Sequence, residues 1–163
     1  MNCNIRRPVL AAVLCSALVL ITGCNRLKAR DQLNKGVEAF KTAHYDDAIG
    51  HFQQATELDP SLPMARLYLA TAYAQQVVPN LQSPDNMKNA NMAIQNFQVV
   101  LDHDSKNISA LKGVASLYLN TQQFDKAKDY QNKVLAVDPT DAAAEYTIGV
   151  INWTMAYKNA IPV

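Results

Sequence analysis

The side chains of this sequence that could do chemistry are Cys24, one of three cysteines, together with three histidines and a few carboxylates. His44 and His51 are seven residues apart with Asp47 between them, so on one helix all three could share a face and hold a metal ion. His44, however, falls in a predicted turn before the helix, and isolated histidines near a helix end are usually solvated. His103 has only its flanking aspartates beside it. We therefore predict no metal site.

Sequence motifs of catalysis are also missing. The chain has no glycine-rich phosphate loop, no nucleophile elbow and no spaced cysteine pair. Its acidic pairs stand at predicted helix ends, where they are typical of charges that interact with the helix dipole. The sequence predicts no catalytic residue, no cofactor and no small-molecule substrate, and thus a protein that is not an enzyme.

Cys24 stands at the end of an N-terminal segment whose composition suggests a role for its thiol. Two arginines at positions 6 and 7 precede an apolar run of 13 residues, and Ile21-Thr22-Gly23 leads into the cysteine. The charge, the length and the small residues before Cys24 are typical of a secretory signal peptide with its cleavage site. The apolar run is too short to span a bilayer as a helix.

The segment Ile21-Thr22-Gly23-Cys24 resembles the lipobox of bacterial lipoproteins. The resemblance implies that residues 1–23 are a removed signal peptide and that Cys24 carries the lipid. Several acyl chains would then hold the protein on the periplasmic side of the bacterial cell envelope. By the same resemblance, Asn25 favours the outer membrane over the inner one. An ordinary cleaved signal or an uncleaved anchor is the alternative.

Charge and cysteine content limit the partners of the exported chain. The full sequence has 15 Lys and Arg against 14 Asp and Glu, and loss of the two signal arginines leaves a net charge near −1. No strong positive field would attract nucleic acid, and we predict no nucleic-acid partner. The other two cysteines leave with the signal, so no disulfide framework remains.

Three alanines mark a repeated segment: Ala48, Ala93 and Ala127 open the similar runs AIGHFQQATELDP, AIQNFQVVLDHDS and AKDYQNKVLAVDP. The second interval is 34 residues, and the first is 45. A recurring unit with its turn signal in place indicates a solenoid. Apolar residues at spacings of three and four predict helices, with Pro60 and Pro139 ending two of them.

The spacing and the residue types resemble the tetratricopeptide repeat, a pair of antiparallel helices. The resemblance implies an all-α, right-handed α-solenoid of about 3.5 units behind the signal peptide. The domain boundaries follow as a linker at 24–28 and a repeat domain at 29–163, with units at 29–62, 63–107, 108–141 and a partial unit at 142–160.

The second unit carries 11 extra residues, Gln76 to Asn86. Ser83 followed by Pro84 predicts a helix N-cap with proline in the first turn, and this helix should extend to about Asp102. A tolerated surface insertion is the simpler interpretation. The alternative is an apolar lip beside a groove, formed by Val77, Val78 and Leu81.

The first helix of each pair usually lines the concave surface of such arrays. Chaperone-binding members of the family place lysine and asparagine where Leu33 and Val37 stand, which disfavours that ligand class here. Leu67 and Tyr146 could instead be core. The predicted groove residues suit a peptide held by apolar contact, and they are Leu33, Val37, Phe40, Met64, Leu67, Thr71, Lys112, Ser116, Leu119, Tyr146, Val150 and Trp153.

The predicted function is a membrane-anchored protein–protein interaction scaffold that binds a peptide or partner protein in this groove, in the assembly of an envelope complex. The last helix should expose Ile148, Ile151, Trp153 and Met155 with no second helix over them, although solenoids normally end in a polar cap. This chain would then be a fragment, or that face meets a partner or another copy. The alternative function is the docking or regulatory part of a longer envelope enzyme whose catalytic domain lies beyond Val163.

Overall fold

The computed structural model describes the backbone of residues 6–160 and the side chains of residues 24–158 and 160. The described chain contains seven helices and no strand, so the predicted all-α solenoid is confirmed. The helices are α1 (Arg6–Lys41), α2 (Tyr45–Leu58), α3 (Pro63–Gln75), α4 (Pro84–His103), α5 (Ile108–Asn120), α6 (Phe124–Val137) and α7 (Ala142–Ala160).

Helix α1 includes most of the predicted signal segment. Residues 1–5 lie outside the described residues, as do the side chains of residues 6–23, so the signal-peptide prediction is not tested. Residues 24–28, predicted as a linker, continue the helix, because arginine, leucine and lysine there favour helix and no glycine or proline interrupts them. None of the helices in the described part has the length and apolarity needed to cross a membrane.

The helices pack as successive pairs, with α1 on α2, α3 on α4 and α5 on α6, and each pair contacts the next. The three marker alanines are fully buried at these contacts. Gly36 lies so close to the ring of Phe52 that an added Cβ would be 2.5 Å from it. Gly113 stands in the same relation to Phe97, again at 2.5 Å. The small residues thus let the aromatic side chains fill the space between helices.

An aspartate turn ends the second helix of every unit. The carboxylates of Asp59, Asp104 and Asp138 each accept a hydrogen bond from the backbone N–H two residues later, at 3.0, 3.2 and 3.0 Å. This side-chain turn redirects the chain whether or not proline follows the aspartate. The second unit, which has Ser105 in place of the proline, therefore keeps the same geometry as the other two.

The insertion of the second unit is an ordered loop built around Asn86. This side chain is 4% exposed; its Nδ2 donates to the carbonyls of Val78 (3.0 Å) and Leu81 (2.7 Å), and its Oδ1 accepts from the N–H of Val78 at 2.7 Å. The hydroxyl of Ser83 caps α4 by accepting from the N–H of Asn86, as predicted. Val77 is buried in the core, so it does not form part of an exposed lip.

Candidate functional site

The candidate site is the face formed by the first helix of each pair. Helix α1 contacts α3, and α3 contacts α5. Helix α7 continues the series, but its backbone approaches α6 and, within the described residues, not α5. The twelve predicted groove residues lie on these four helices, and their surroundings differ from one helix to the next.

The predicted groove residues of α1 are largely committed to packing. Leu33, Val37 and Phe40 are half-buried, and they pack against the core cluster that contains Phe52. Phe40 also meets the ring of Tyr45 edge-on, with 5.4 Å between the centroids. At this end of the face, a ligand could therefore contact only the exposed parts of three apolar side chains.

The groove residues of α3 are mixed. Met64 is exposed at the start of the helix, whereas Leu67 is half-buried and packs against the core cluster that contains Phe97. The hydroxyl of Thr71 donates to the carbonyl of Leu67 at 2.8 Å, which satisfies it within its own helix. The expectation that Leu67 could be core is thus correct in part, and of the three predicted groove residues on α3 only Met64 is exposed to a ligand.

Lys112 is the one cation among the predicted groove residues, and it is already paired. Its ammonium group forms a short salt bridge to Asp141, which lies just before α7. The other two predicted residues of α5 are not charged: Ser116 is exposed and Leu119 is half-buried. The hydrogen bond from Lys112, and then that from the N–H of Ala144 at 3.0 Å, lower the pKa of Asp141 below its ordinary value. The pair ties α5 to the start of α7.

Helix α7 carries the most accessible part of the face. Tyr146 is 75% exposed and Trp153 is 68% exposed, and with Val150 and Gly149 they line a shallow cavity of about 290 Å³. Tyr146 is therefore not core. The prediction that Ile151 is exposed is also wrong, because it is completely buried on a helix that packs on α6. Ile148 and Met155 are half-buried, so of the four residues predicted to be exposed only Trp153 is.

Tyr157 is a functional candidate that the sequence reasoning missed. Its ring is 56% exposed and stacks on Trp153, with centroids 5.5 Å apart and planes at 17°. It extends the row of Tyr146, Val150 and Trp153 by one more turn. The spacing of four residues from Trp153 was the sequence signal, since residues at i and i+4 share a helix face.

The remaining candidates for chemistry do not come together. His44 Nδ1 lies 2.9 Å from the Thr42 hydroxyl, and His51 Nδ1 lies 2.7 Å from Gln32 Oε1. In the part of the chain covered by the structure, no three His, Cys, Asp or Glu side chains form a group that could hold a metal ion. Cys24 is a free, exposed thiol on α1.

Comparison with known proteins agrees with this architecture. Residues 113–141 match the family model described as tetratricopeptide repeat. Sperm-associated antigen 1 of Mus musculus is 27% identical over 135 residues, which cover 83% of this chain but only 13% of that protein.

Two solved structures show the same fold. The first tetratricopeptide domain of Spaghetti (RPAP3), bound to the HSP90 peptide SRMEEVD, has a TM-score of 0.67 at 21% identity, covering 80% of this chain and 95% of that one. MamA has a TM-score of 0.68 at 18% identity, covering 80% of this chain and 70% of that one.

Proposed function

Because this chain is a tetratricopeptide-repeat protein, we propose that it is a scaffold, anchored through a lipid on Cys24, that holds a peptide or partner protein on the face of α1, α3, α5 and α7. The observation that carries the proposal is the row of Tyr146, Val150, Trp153 and Tyr157. Large exposed apolar patches on soluble domains usually mark interaction sites, and aromatic residues dominate binding energy at such sites.

The chemistry of the face favours an apolar ligand. The related domain of RPAP3 holds an acidic HSP90 peptide. Here the family's lysine and asparagine positions carry Leu33 and Val37, and Lys112 is neutralised by Asp141. The face therefore suits an amphipathic helix or an extended segment that presents apolar side chains. The assembly of an envelope complex is the setting that the predicted location favours.

Photo-crosslinking in the native host tests the site. A photoreactive residue at Val150 should yield a defined adduct, and the additional change Trp153→Ala should abolish it, because the exposed indole lines the same shallow cavity as Val150. The matched control places the photoreactive residue at Val78, an exposed apolar residue on the insertion. An adduct formed at Val78 but not at Val150 would move the binding surface to the insertion and refute the groove.

The lipid anchor is tested separately. Cys24→Ser should shift the protein from the membrane fraction to the soluble periplasmic fraction, because serine cannot accept the thioether-linked lipid. Cys15→Ser changes a cysteine inside the predicted signal peptide and should leave fractionation unchanged. Continued membrane association of the Cys24→Ser protein would show that the anchor lies elsewhere.

A further inference from the structure

Arg66 on α3 is a charged side chain that the groove does not use. Its guanidinium donates through Nη1 to the Asn96 side-chain oxygen at 3.1 Å, while Nε is buried and has no hydrogen-bond partner. Within the described residues, no carboxylate forms a salt bridge with it. The second amino group, Nη2, has no hydrogen-bond partner among the described residues and is not buried, so the guanidinium can still bind an anion through it.

Asn96 holds the guanidinium in place without neutralising it. The amide of Asn96 is 6% exposed, and its Nδ2 donates to the carbonyl of Met92 at 2.8 Å. Its Oδ1 is then left to accept from Arg66. The positive charge is thus held in one geometry by a neutral partner, and a pre-oriented donor loses little entropy when a ligand arrives.

Two cavities meet at Arg66. One, of about 440 Å³, lies where the α2–α3 turn meets the end of α4, and Pro60, Pro63, Val99 and Val100 provide its apolar walls. The other, of about 600 Å³, is lined mainly by polar side chains of α2 and α4, and Arg66 and Val99 are common to both. None of the twelve predicted groove residues lines either cavity.

Among the charged groups that the structure describes around the apolar cavity, the guanidinium of Arg66 has no counter-ion, whereas the one carboxylate is already hydrogen-bonded. Asp104 stands at its rim, but its carboxylate accepts from the N–H of Lys106 at 3.2 Å and from the amide of Asn107 at 3.4 Å. His103 and Ser61 add polar groups to the same rim. In the larger cavity, Glu57 is exposed to solvent.

We propose that this second site, the Arg66 site, binds a carboxylate carried on a short branched aliphatic body. The carboxylate accepts from the free amino group of Arg66, Nη2, and the aliphatic part fills the space between Pro63 and Val100. A free branched carboxylic acid and the C-terminal leucine of a peptide share this chemistry. The site would give the scaffold a second binding position, separate from the groove.

Titration of the full chain with sodium 4-methylpentanoate tests the site, with the methyl resonances of Val99 and Val100 as the readout. We expect saturable shifts with a dissociation constant on the order of 1 mM, as suits so small a ligand. The neutral 4-methylpentanamide should bind at least about tenfold more weakly, because it cannot form the ion pair. Equal binding of acid and amide, or no saturable shift with either the acid or a leucine-terminated peptide, would overturn the proposal.

A variant and a peptide complete the experiment. Arg66→Gln should abolish the shifts, whereas Lys88→Gln, an exposed cation elsewhere on α4, should leave them unchanged; thermal unfolding of both variants checks that they are folded.

A pentapeptide ending in leucine, compared with its C-terminal amide, identifies the source of the carboxylate. Binding by the peptide acid alone assigns the site to a protein terminus, and binding by both acids assigns it to the shared carboxylate chemistry. Retention of the shifts in a folded Arg66→Gln protein would refute the assignment.

Discussion

Glycine has different roles at different positions of this array, and the difference lies in what faces it. Gly36 lies against the ring of Phe52, and a Cβ there would overlap the ring at 2.5 Å. Gly50, on α2, has no atom within 4 Å of the place where its Cβ would be. Only the first of these glycines is required by packing, although both stand inside helices.

We expect opposite effects from two identical substitutions. Gly36→Ala should lower the free energy of unfolding by about 1–3 kcal/mol, because the ring must move in a packed core. Gly50→Ala should raise it by about 0.5–1 kcal/mol, because alanine is the better helix former and meets nothing. Urea denaturation of the two variants checks this. Stabilisation by both would mean that the Phe52 ring relaxes freely.

The Lys112–Asp141 pair makes stability depend on pH in acid. The pKa of Asp141 is lowered in the folded protein, chiefly by its hydrogen bond with Lys112. The pair therefore stabilises the fold fully above the ordinary carboxyl pKa of 3.8, and this stabilisation is lost as the pH falls through the lower folded value.

Asp141→Asn should accordingly lower Tm at pH 7 and make little difference in strong acid, where the carboxylate of the parent protein is itself protonated. Thermal unfolding over a pH series provides the measurement. Asp129→Asn, at an exposed position on α6, is the matched control and should follow the parent curve. A difference in Tm that is the same at every pH would show that the charge of Asp141 is not responsible.

At the level of elements, the starts and ends of the helices follow from local chemistry, and most were predictable. The cap at Ser83 and the start of α4 at Pro84 are confirmed, because the hydroxyl and the proline act within one turn of chain. The loop before Ser83 was less predictable. Its form depends on Asn86, whose side chain reaches back to Val78 and Leu81.

Asn86→Ala should loosen the insertion. The change removes the three hydrogen bonds that the Asn86 side chain makes with the backbone of Val78 and Leu81, which should cost about 1–3 kcal/mol of unfolding free energy. Hydrogen exchange at the amide of Val78 should accelerate in the same variant. Asn89→Ala, one turn further along α4, is the control and should change neither quantity appreciably. Unchanged protection of the Val78 amide in the Asn86 variant would contradict this role.

For the whole molecule, stability is distributed between two hydrophobic clusters. One surrounds Phe52 and involves α1, α2 and α3, and the other surrounds Phe97 and extends from α3 to Ala144 of α7. In repeat arrays each unit is stabilised mainly by its nearest neighbours. The two ends of this chain should therefore respond differently to damage in one cluster.

Phe52→Ala should cost about 3–5 kcal/mol locally, because it removes a fully buried ring. Hydrogen exchange should rise first in α1 and α2, while amides of α5 and α6 keep most of their protection. Phe97→Ala should give the reverse order. Uniform loss of protection in both variants would indicate that the array unfolds as one cooperative unit.

The sequence by itself determined the all-α repeat fold and the start of α4 at Ser83 and Pro84, because these depend on spacing and on contacts within a few residues. Only the tertiary structure decided which of the predicted groove residues are free. Leu33 and Val37 pack on the cluster around Phe52, and Lys112 is paired with Asp141, whereas Trp153 is left exposed. Each outcome depends on a partner distant in the chain or on the angle at which two helices meet, and neither is encoded in local spacing.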